Sequence, residues 1–141
     1  MNKMAKLSPY LFSNNAREQA DFYVTALGGD IISSKTYDEL PDSAPELKGR
    51  VMHLEFQAAG VQFYMADSAK RVEHGNSIDL TLEFNTKEDA EMAFNGLADN
   101  GRILMPFEKM FWGSSFGRLE DRYGVRWQIS AMTNEEKENQ Q

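Results

Sequence analysis

With 141 residues, of which 41% are hydrophobic and 26% charged, the chain has the composition of one ordinary globular domain. A net charge of −7 argues against nucleic acid or an anionic membrane as a partner, because both would repel such a protein. The lack of cysteine excludes disulfides and Cys-ligated zinc. Since no signal-peptide pattern and no run of about 18 apolar residues occurs, we expect a cytoplasmic protein.

The first half of the chain predicts one helix among strands. A strand over 7–13 leads to Asn15, which is a typical helix cap, and apolar residues then recur at helical spacing until Gly28-Gly29 stops the helix. A strand over 30–37, an irregular loop over 36–49 and a pair of strands follow. The pair covers 50–57 and 61–66, with its turn at Ala59-Gly60.

The second half repeats this order about 70 residues later. A strand over 77–84 precedes a helix that is capped by Thr86 and stopped at Asn100-Gly101. The strands that follow are predicted over 102–108, 110–120 and 125–130, the last two joined by a tight turn. Both halves therefore read strand–helix–strand–strand–strand, which is a duplicated βαβββ unit.

The boundaries predicted from this repeat define a single domain over residues 1–135. Module one covers about 7–67 and module two about 77–131, and residues 136–141 form a flexible polar tail.

Strand alternation separates an apolar from a polar face in each module. We expect the apolar faces to pack against the helices. The polar faces either form a solvated back of the sheet or, if the sheet curls, line a cavity. The residues on these polar faces include His53, Glu55, Asp79, Thr81, Glu83, Arg126 and Gln128.

The segment KMFWGSSFGRLEDRYGVRWQIS, residues 109–130, is predicted to be mainly a hairpin that closes the second sheet. Trp127 falls on the apolar side and is expected in the core. If 110–120 is a strand, Phe111 and Trp112 point to opposite faces, so one of them is a candidate cavity wall. Gly113 and Gly117 indicate bulges or a close approach of neighbouring atoms.

Several stretches in combination resemble the vicinal-oxygen-chelate superfamily, which is also called glyoxalase/bleomycin-resistance/dioxygenase-like. The resemblance is strongest to its PhnB-like branch, sometimes labelled demethylubiquinone-methyltransferase-like. It rests on PYLFSNNAREQADFYVTALGG (9–29), VMHLEF (51–56), Asp67 after FYMA, and LADNGRILMPFEKMFWGSSFGRLEDRYGVRWQIS (97–130).

The resemblance implies an α+β fold of tandem βαβββ modules. Each module would form a curled, mostly antiparallel half-barrel sheet with its helix outside. The polar faces would then line a cavity, and two chains would form a homodimer.

Metal enzymes of this superfamily bind a divalent ion from the first and last strands of each module. Projected onto this chain, the resemblance places Ser8 and Asp79 on the first strands and Tyr64 and Gln128 on the last strands. Only Asp79 is a good ligand, so we predict no metal and no other cofactor. His53 and Glu55, with Asp79 or Glu83, remain the alternative as a non-standard metal site.

The function predicted from these residues is that of a metal-free, homodimeric small-molecule-binding protein. An acidic and aromatic lining suits a cationic or planar aromatic ligand. The alternative is a divalent-metal-dependent lyase, isomerase or dioxygenase, with Glu83 as a general base. The methyltransferase label finds no Gly-rich nucleotide-binding turn to support it. The candidate ligand-binding residues are Tyr10, His53, Glu55, Tyr64, Asp79, Glu83, Trp112 and Gln128.

Overall fold

The structure is a computed structural model that describes residues 3–133, which divide into two compact units at Val72/Glu73. Unit 1 contains a four-stranded sheet, one helix and two single-turn 3₁₀ helices over 37–39 and 45–47. Its elements are β1 (Tyr10–Ser13), α1 (Ala16–Leu27), β2 (Gly29–Thr36), β3 (Val51–Ala58) and β4 (Val61–Asp67).

Unit 2 repeats the same order of elements. They are β5 (Asp79–Phe84), α2 (Lys87–Ala98), β6 (Arg102–Lys109), β7 (Ser115–Glu120) and β8 (Arg126–Ala131). The predicted tail over 136–141 lies outside the described residues, and the single-domain boundaries remain a prediction.

Each sheet has its first strand next to its last, and that pair is the parallel one. The strand orders are β1-β4-β3-β2 and β5-β8-β7-β6, and the other neighbours run antiparallel. The predicted tandem βαβββ architecture of curled, mostly antiparallel sheets is therefore confirmed. Neither sheet closes on itself, so β1 and β2 are edges in unit 1, and β5 and β6 are edges in unit 2.

The helices begin at the predicted caps. The side-chain oxygen of Asn15 accepts the N–H of Glu18 at 3.2 Å, and Thr86 Oγ1 accepts the N–H of Asp89 at 3.1 Å. These bonds satisfy donors that have no partner within the first turn of a helix. Gly28 follows α1 with a φ of 78°, which glycine adopts without steric cost.

The core of unit 1 lies between α1 and the inner face of its sheet. Tyr23 of α1 is fully buried against Phe56, and the Phe56 and Phe63 rings stack at 4.9 Å. Leu54 and Met65 complete this layer. Full burial of each large apolar side chain contributes about 1.5–3 kcal/mol.

The core of unit 2 is built in the same way around Trp127, which is fully buried as predicted. Phe94 of α2 packs at Gly117 of β7, where an added Cβ would lie 2.7 Å from the Phe94 ring. Gly117 is thus required by the close approach that the sequence indicated. Leu97, Leu119 and Ile129 fill the rest of the layer.

The prediction of one continuous strand over 110–120 is wrong for its first half. Residues 111–114 form a turn in which Gly113 has a φ of 101°, and the Met110 carbonyl accepts the N–H of Gly113. A positive φ at that glycine cannot continue a strand. Phe111 and Trp112 therefore do not point to opposite faces of a sheet.

Candidate functional site

The outer face of the unit 1 sheet, opposite α1, brings together the four candidate residues of this unit. Strand pairing aligns Tyr10 of β1 with Tyr64 of β4, and Tyr64 in turn with Glu55 of β3. Two residues from Glu55, His53 lies on the same side of β3, because alternate side chains share a face. The structure therefore places these four candidate residues on one face of the sheet.

These side chains form an aromatic cluster. The His53 and Tyr64 rings stack with centroids 5.5 Å apart, and the Tyr10 and Tyr64 rings lie 6.0 Å apart. A hydrogen bond of 3.1 Å joins the Tyr10 hydroxyl to His53 Nδ1. Ring pairs at these distances are each favourable by about 0.5–1.5 kcal/mol beyond the area they bury.

Phe12 is a fourth member of the cluster that the sequence reasoning missed. Its ring centroid lies 5.3 Å from that of Tyr10, and the residue is 54% exposed. Tyr10 is itself 44% exposed. The signal was present, since Phe12 follows Tyr10 by two positions on one strand and so shares its face. The cluster of Tyr10, Phe12, His53 and Tyr64 is called the aromatic face below.

A polar chain of hydrogen bonds borders the aromatic face. Gln62 donates to Glu55 Oε2 at 2.7 Å and accepts from the Lys6 ammonium. A cavity of about 420 Å³ adjoins this chain and is lined by Lys6, Ile32, Gln57 and Gln62, among others. An open surface with aromatic rings, one carboxylate and an adjacent cavity is suited to holding a small planar molecule.

In unit 2 the candidates Asp79 and Gln128 also meet on the outer face of the sheet. Asp79 Oδ2 accepts hydrogen bonds from Gln128 Nε2 at 3.0 Å and from Arg118 Nε at 2.8 Å. Arg118 was missed by the sequence reasoning, although it is paired in register with Gln128 and alternates with buried residues on β7.

The ion pair sets the charge state of this cluster. The hydrogen bond from Arg118 lowers the pKa of Asp79, an effect opposed by burial and reinforced by the bond from Gln128. The same bond raises the pKa of Arg118. The Asp79 side chain is only 11% exposed, and the Arg118 guanidinium already compensates its negative charge within the fold.

The remaining two candidates lie apart from this ion pair. Glu83 is exposed, four residues along β5 from Asp79 and opposite Ser130 of β8. Trp112 lies in the turn between β6 and β7, where its indole Nε1 donates to Ser114 Oγ. Its ring meets that of Phe111 edge-on at 4.7 Å.

The donor set does not fit a divalent metal of the kind that the resemblance implies. Asp79 is held by a guanidinium, and a cation at that position would repel an incoming metal ion. Ser8 precedes β1 rather than lying on it, and Tyr64 takes part in the ring cluster. Among residues 3–133, no group of three or more His, Asp or Glu side chains has the spacing of a metal site.

Known proteins are similar in sequence to most of this chain. A family model described as 3-demethylubiquinone-9 3-methyltransferase matches residues 5–130. Protein YjdN of Escherichia coli K12 is 28% identical over 139 residues, covering 89% of this chain and 95% of that protein.

Several solved structures have a fold similar to that of this chain. A putative 3-demethylubiquinone-9 3-methyltransferase, PhnB protein, from Bacillus cereus is 29% identical, with a TM-score of 0.73 over 91% of this chain and all of that one. Protein PA1353 from Pseudomonas aeruginosa is also 29% identical, with a TM-score of 0.78 over 91% and 98%. The fosfomycin resistance protein FosX from Listeria monocytogenes, solved with Mn(II) and sulfate, is 13% identical with a TM-score of 0.64 over 96% and 98%, a likeness of fold alone.

Within the described part of the chain, neither helix is long and apolar enough to cross a membrane.

Proposed function

The chain belongs to the family described as 3-demethylubiquinone-9 3-methyltransferase, with the glyoxalase/bleomycin-resistance fold, and from this premise we propose that it is a cytoplasmic, homodimeric small-molecule-binding protein that works without a metal. The ligand is a planar aromatic molecule that carries positive charge. It binds on the aromatic face of unit 1.

The observation that carries this proposal is the aromatic face itself. Folding does not require aromatic side chains on the outer side of the sheet, because the core of unit 1 is complete on the α1 side. Phe12 and Tyr10 expose about half of their surface, so an incoming planar molecule gains ring contacts and buries apolar area.

Glu55 supports the preference for a cation. Its carboxylate lies beside Tyr64 in the strand pairing, at the border between the rings and the cavity lined by Gln62. The negative charge and the electron-rich ring faces both attract a cation. The net charge of −7 adds a weaker, salt-dependent attraction at long range.

Exposed apolar side chains at the sheet edges support a homodimer. Ile32 on the edge strand β2, and Ile103 and Met105 on the edge strand β6, are all exposed. An edge with apolar side chains and free backbone groups is a surface that proteins normally cover. Sedimentation velocity should give a mass of two chains, and Ile32→Lys or Ile103→Lys should shift it towards one.

Thermal protection by a matched panel of ligands tests the binding proposal. We expect planar aromatic cations to raise the melting temperature more than neutral analogues with the same ring system. A ligand at 100 times its Kd stabilises the protein by about 2.7 kcal/mol, which is easily measured. Phe12→Ala and Tyr64→Leu should each weaken binding by roughly two- to tenfold, the worth of one ring contact.

Two further variants separate the proposed site from general effects. Phe111→Ala removes an aromatic ring that is 96% exposed in unit 2 and should leave binding unchanged. Glu55→Gln should reduce the affinity for cations and leave that for the neutral analogues. If no planar cation protects the protein, or if Phe12→Ala and Phe111→Ala behave alike, the proposal is wrong.

A further inference from the structure

A second cavity lies in unit 2, beside the first turn of α2, and has a volume of about 400 Å³. None of the candidate residues discussed above lines it. Its walls come from the N-terminus of α2, the end of β8 and the start of β7, and include Lys87, Glu88, Lys109, Ser114, Ser115 and Ala131.

The equivalent place in unit 1 is filled by the carboxylate of Asp67. Asp67 Oδ1 accepts the N–H of Ala16, the first residue of α1, at 2.7 Å. Its Oδ2 accepts the N–H of Val51 at 2.7 Å and lies 3.8 Å from the Arg50 guanidinium. In unit 1 a side-chain anion therefore occupies the positive end of the helix.

Strand register shows which residue of unit 2 takes the place of Asp67. Asp67 is paired with Ser13, two residues before the helix cap Asn15. Ala131 is paired with Phe84, which is two residues before the cap Thr86. Ala131 thus stands where unit 1 has its carboxylate.

The groups around this position have polar atoms without partners. Lys87, the equivalent of Ala16, and Glu88 are the first two residues of α2, so their backbone N–H groups have no acceptor within the helix, and the cap side chain of Thr86 accepts the N–H of Asp89 instead. The Ser115 hydroxyl likewise has no hydrogen-bond partner within residues 3–133, although the residue is only 7% exposed and lines the cavity.

The charges around the cavity favour an anion. Among the lining residues, Lys87 and Lys109 each contribute a positive charge and Glu88 one negative charge, which leaves a net charge of +1. Asp89, in the same turn of α2, is exposed and does not line the cavity. The positive end of α2 adds to the positive charge at the cavity. Glu88 is exposed to solvent, so its side chain is free to turn away from an incoming anion, whereas the backbone N–H groups are fixed by the helix.

We propose that this cavity binds the oxyanion group, a carboxylate or a phosphate, of a small molecule. The oxyanion takes the place that the Asp67 carboxylate has in unit 1. It accepts hydrogen bonds from the N–H groups of Lys87 and Glu88 and from the Ser115 hydroxyl. The volume exceeds what one oxyanion group fills, so a larger molecule that carries the group also fits. This site is separate from the aromatic face and does not depend on it.

Amide NMR on the full chain tests the site directly. Acetate and inorganic phosphate are titrated separately at constant ionic strength, balanced with chloride. We expect saturable shifts of the Lys87 and Glu88 amide signals with at least one anion, and the effective anion identifies the ligand chemistry as carboxylate or phosphate. Ser115→Ala should weaken this binding by about ten- to a hundredfold, the effect of losing one hydrogen bond to a charged group.

Ala131→Asp restores the carboxylate that unit 1 has and should abolish the saturable shifts. Thr25→Glu, which adds the same charge at an exposed position of α1 in unit 1, should leave them unchanged. The proposal is refuted if neither anion produces saturable shifts at Lys87 and Glu88. It is also refuted if Ser115→Ala binds as tightly as the unmodified chain, a result that stands even if Ala131→Asp fails to fold.

Discussion

Asp121, at the start of the turn between β7 and β8, is a buried carboxylate whose replacement should destabilise unit 2 strongly. The residue is 3% exposed. Its Oδ1 accepts the N–H of Tyr123 at 2.8 Å and that of Val125 at 3.1 Å, and its Oδ2 accepts the indole N–H of Trp127 at 2.9 Å. One carboxylate thus joins the turn to the centre of the core.

The size of the effect follows from which donors lose their acceptor. Asp121→Ala removes the carboxylate that accepts the buried Trp127 N–H, at a cost of about 1–3 kcal/mol. The same substitution also removes the acceptor of two backbone N–H groups in the turn. Water can partly replace this acceptor, so each lost bond should cost about 1 kcal/mol of stability. We expect a total of about 3–5 kcal/mol. Asp121→Asn keeps one acceptor oxygen but turns an NH₂ group towards an N–H, so about 1.5–3 kcal/mol is expected.

Urea unfolding followed by tryptophan fluorescence measures this loss. A Trp112→Phe background leaves Trp127 as the one tryptophan, so the signal reports on unit 2. The control is Asp99→Asn, which removes an exposed ion pair with Arg122 and should cost less than about 1 kcal/mol. If Asp121→Asn costs no more than this control, the carboxylate does not hold the turn in the way described.

Two further predictions concern β7. Gly117→Ala should destabilise unit 2 by about 1–3 kcal/mol in the same assay, since its Cβ would lie 2.7 Å from the Phe94 ring and 2.9 Å from Phe107 Cα; a neutral result would contradict the close packing. Arg118→Gln removes the hydrogen bond that lowers the pKa of Asp79. Above about pH 4, the ordinary pKa of a carboxyl group, the unmodified chain should therefore be more stable than the variant. This difference in stability should shrink as the pH falls below that value, because Asp79 becomes protonated. Unfolding in urea at pH 7 and pH 3 checks it, and a difference that does not change between the two pH values would rule out Asp79 as the titrating partner.

The sequence predicted the helices and the architecture because these depend on local signals. Caps at Asn15 and Thr86 and the stop at Gly28-Gly29 act within one turn of chain, and the structure has both helices where these residues put them. The order of elements then needed only the repeat. Several strand ends were less well predicted, since the first strand is four residues long rather than seven.

The errors and omissions came from features without a local signal. Nothing in the residues 110–114 distinguishes a turn from the start of β7 until the positive φ of Gly113 is known. Arg118 was missed because its partner Asp79 is 39 residues away, and only strand register brings the two side chains to 2.8 Å. That Ala131 stands where unit 1 has a carboxylate could be recognised only after the structure showed Asp67 bonded to the N–H of Ala16.

The comparison of the two units separates what folding requires from what it leaves free. Strand register makes Tyr10 and Tyr64 of unit 1 equivalent to Thr81 and Gln128 of unit 2, yet the first pair stacks and the second does not. On the helix side both units bury apolar residues, because each sheet must be covered there. The outer faces carry no such requirement, so rings occupy one and an ion pair the other. Differences between equivalent positions, rather than the features that the units share, are therefore where the chemistry of this chain should be sought.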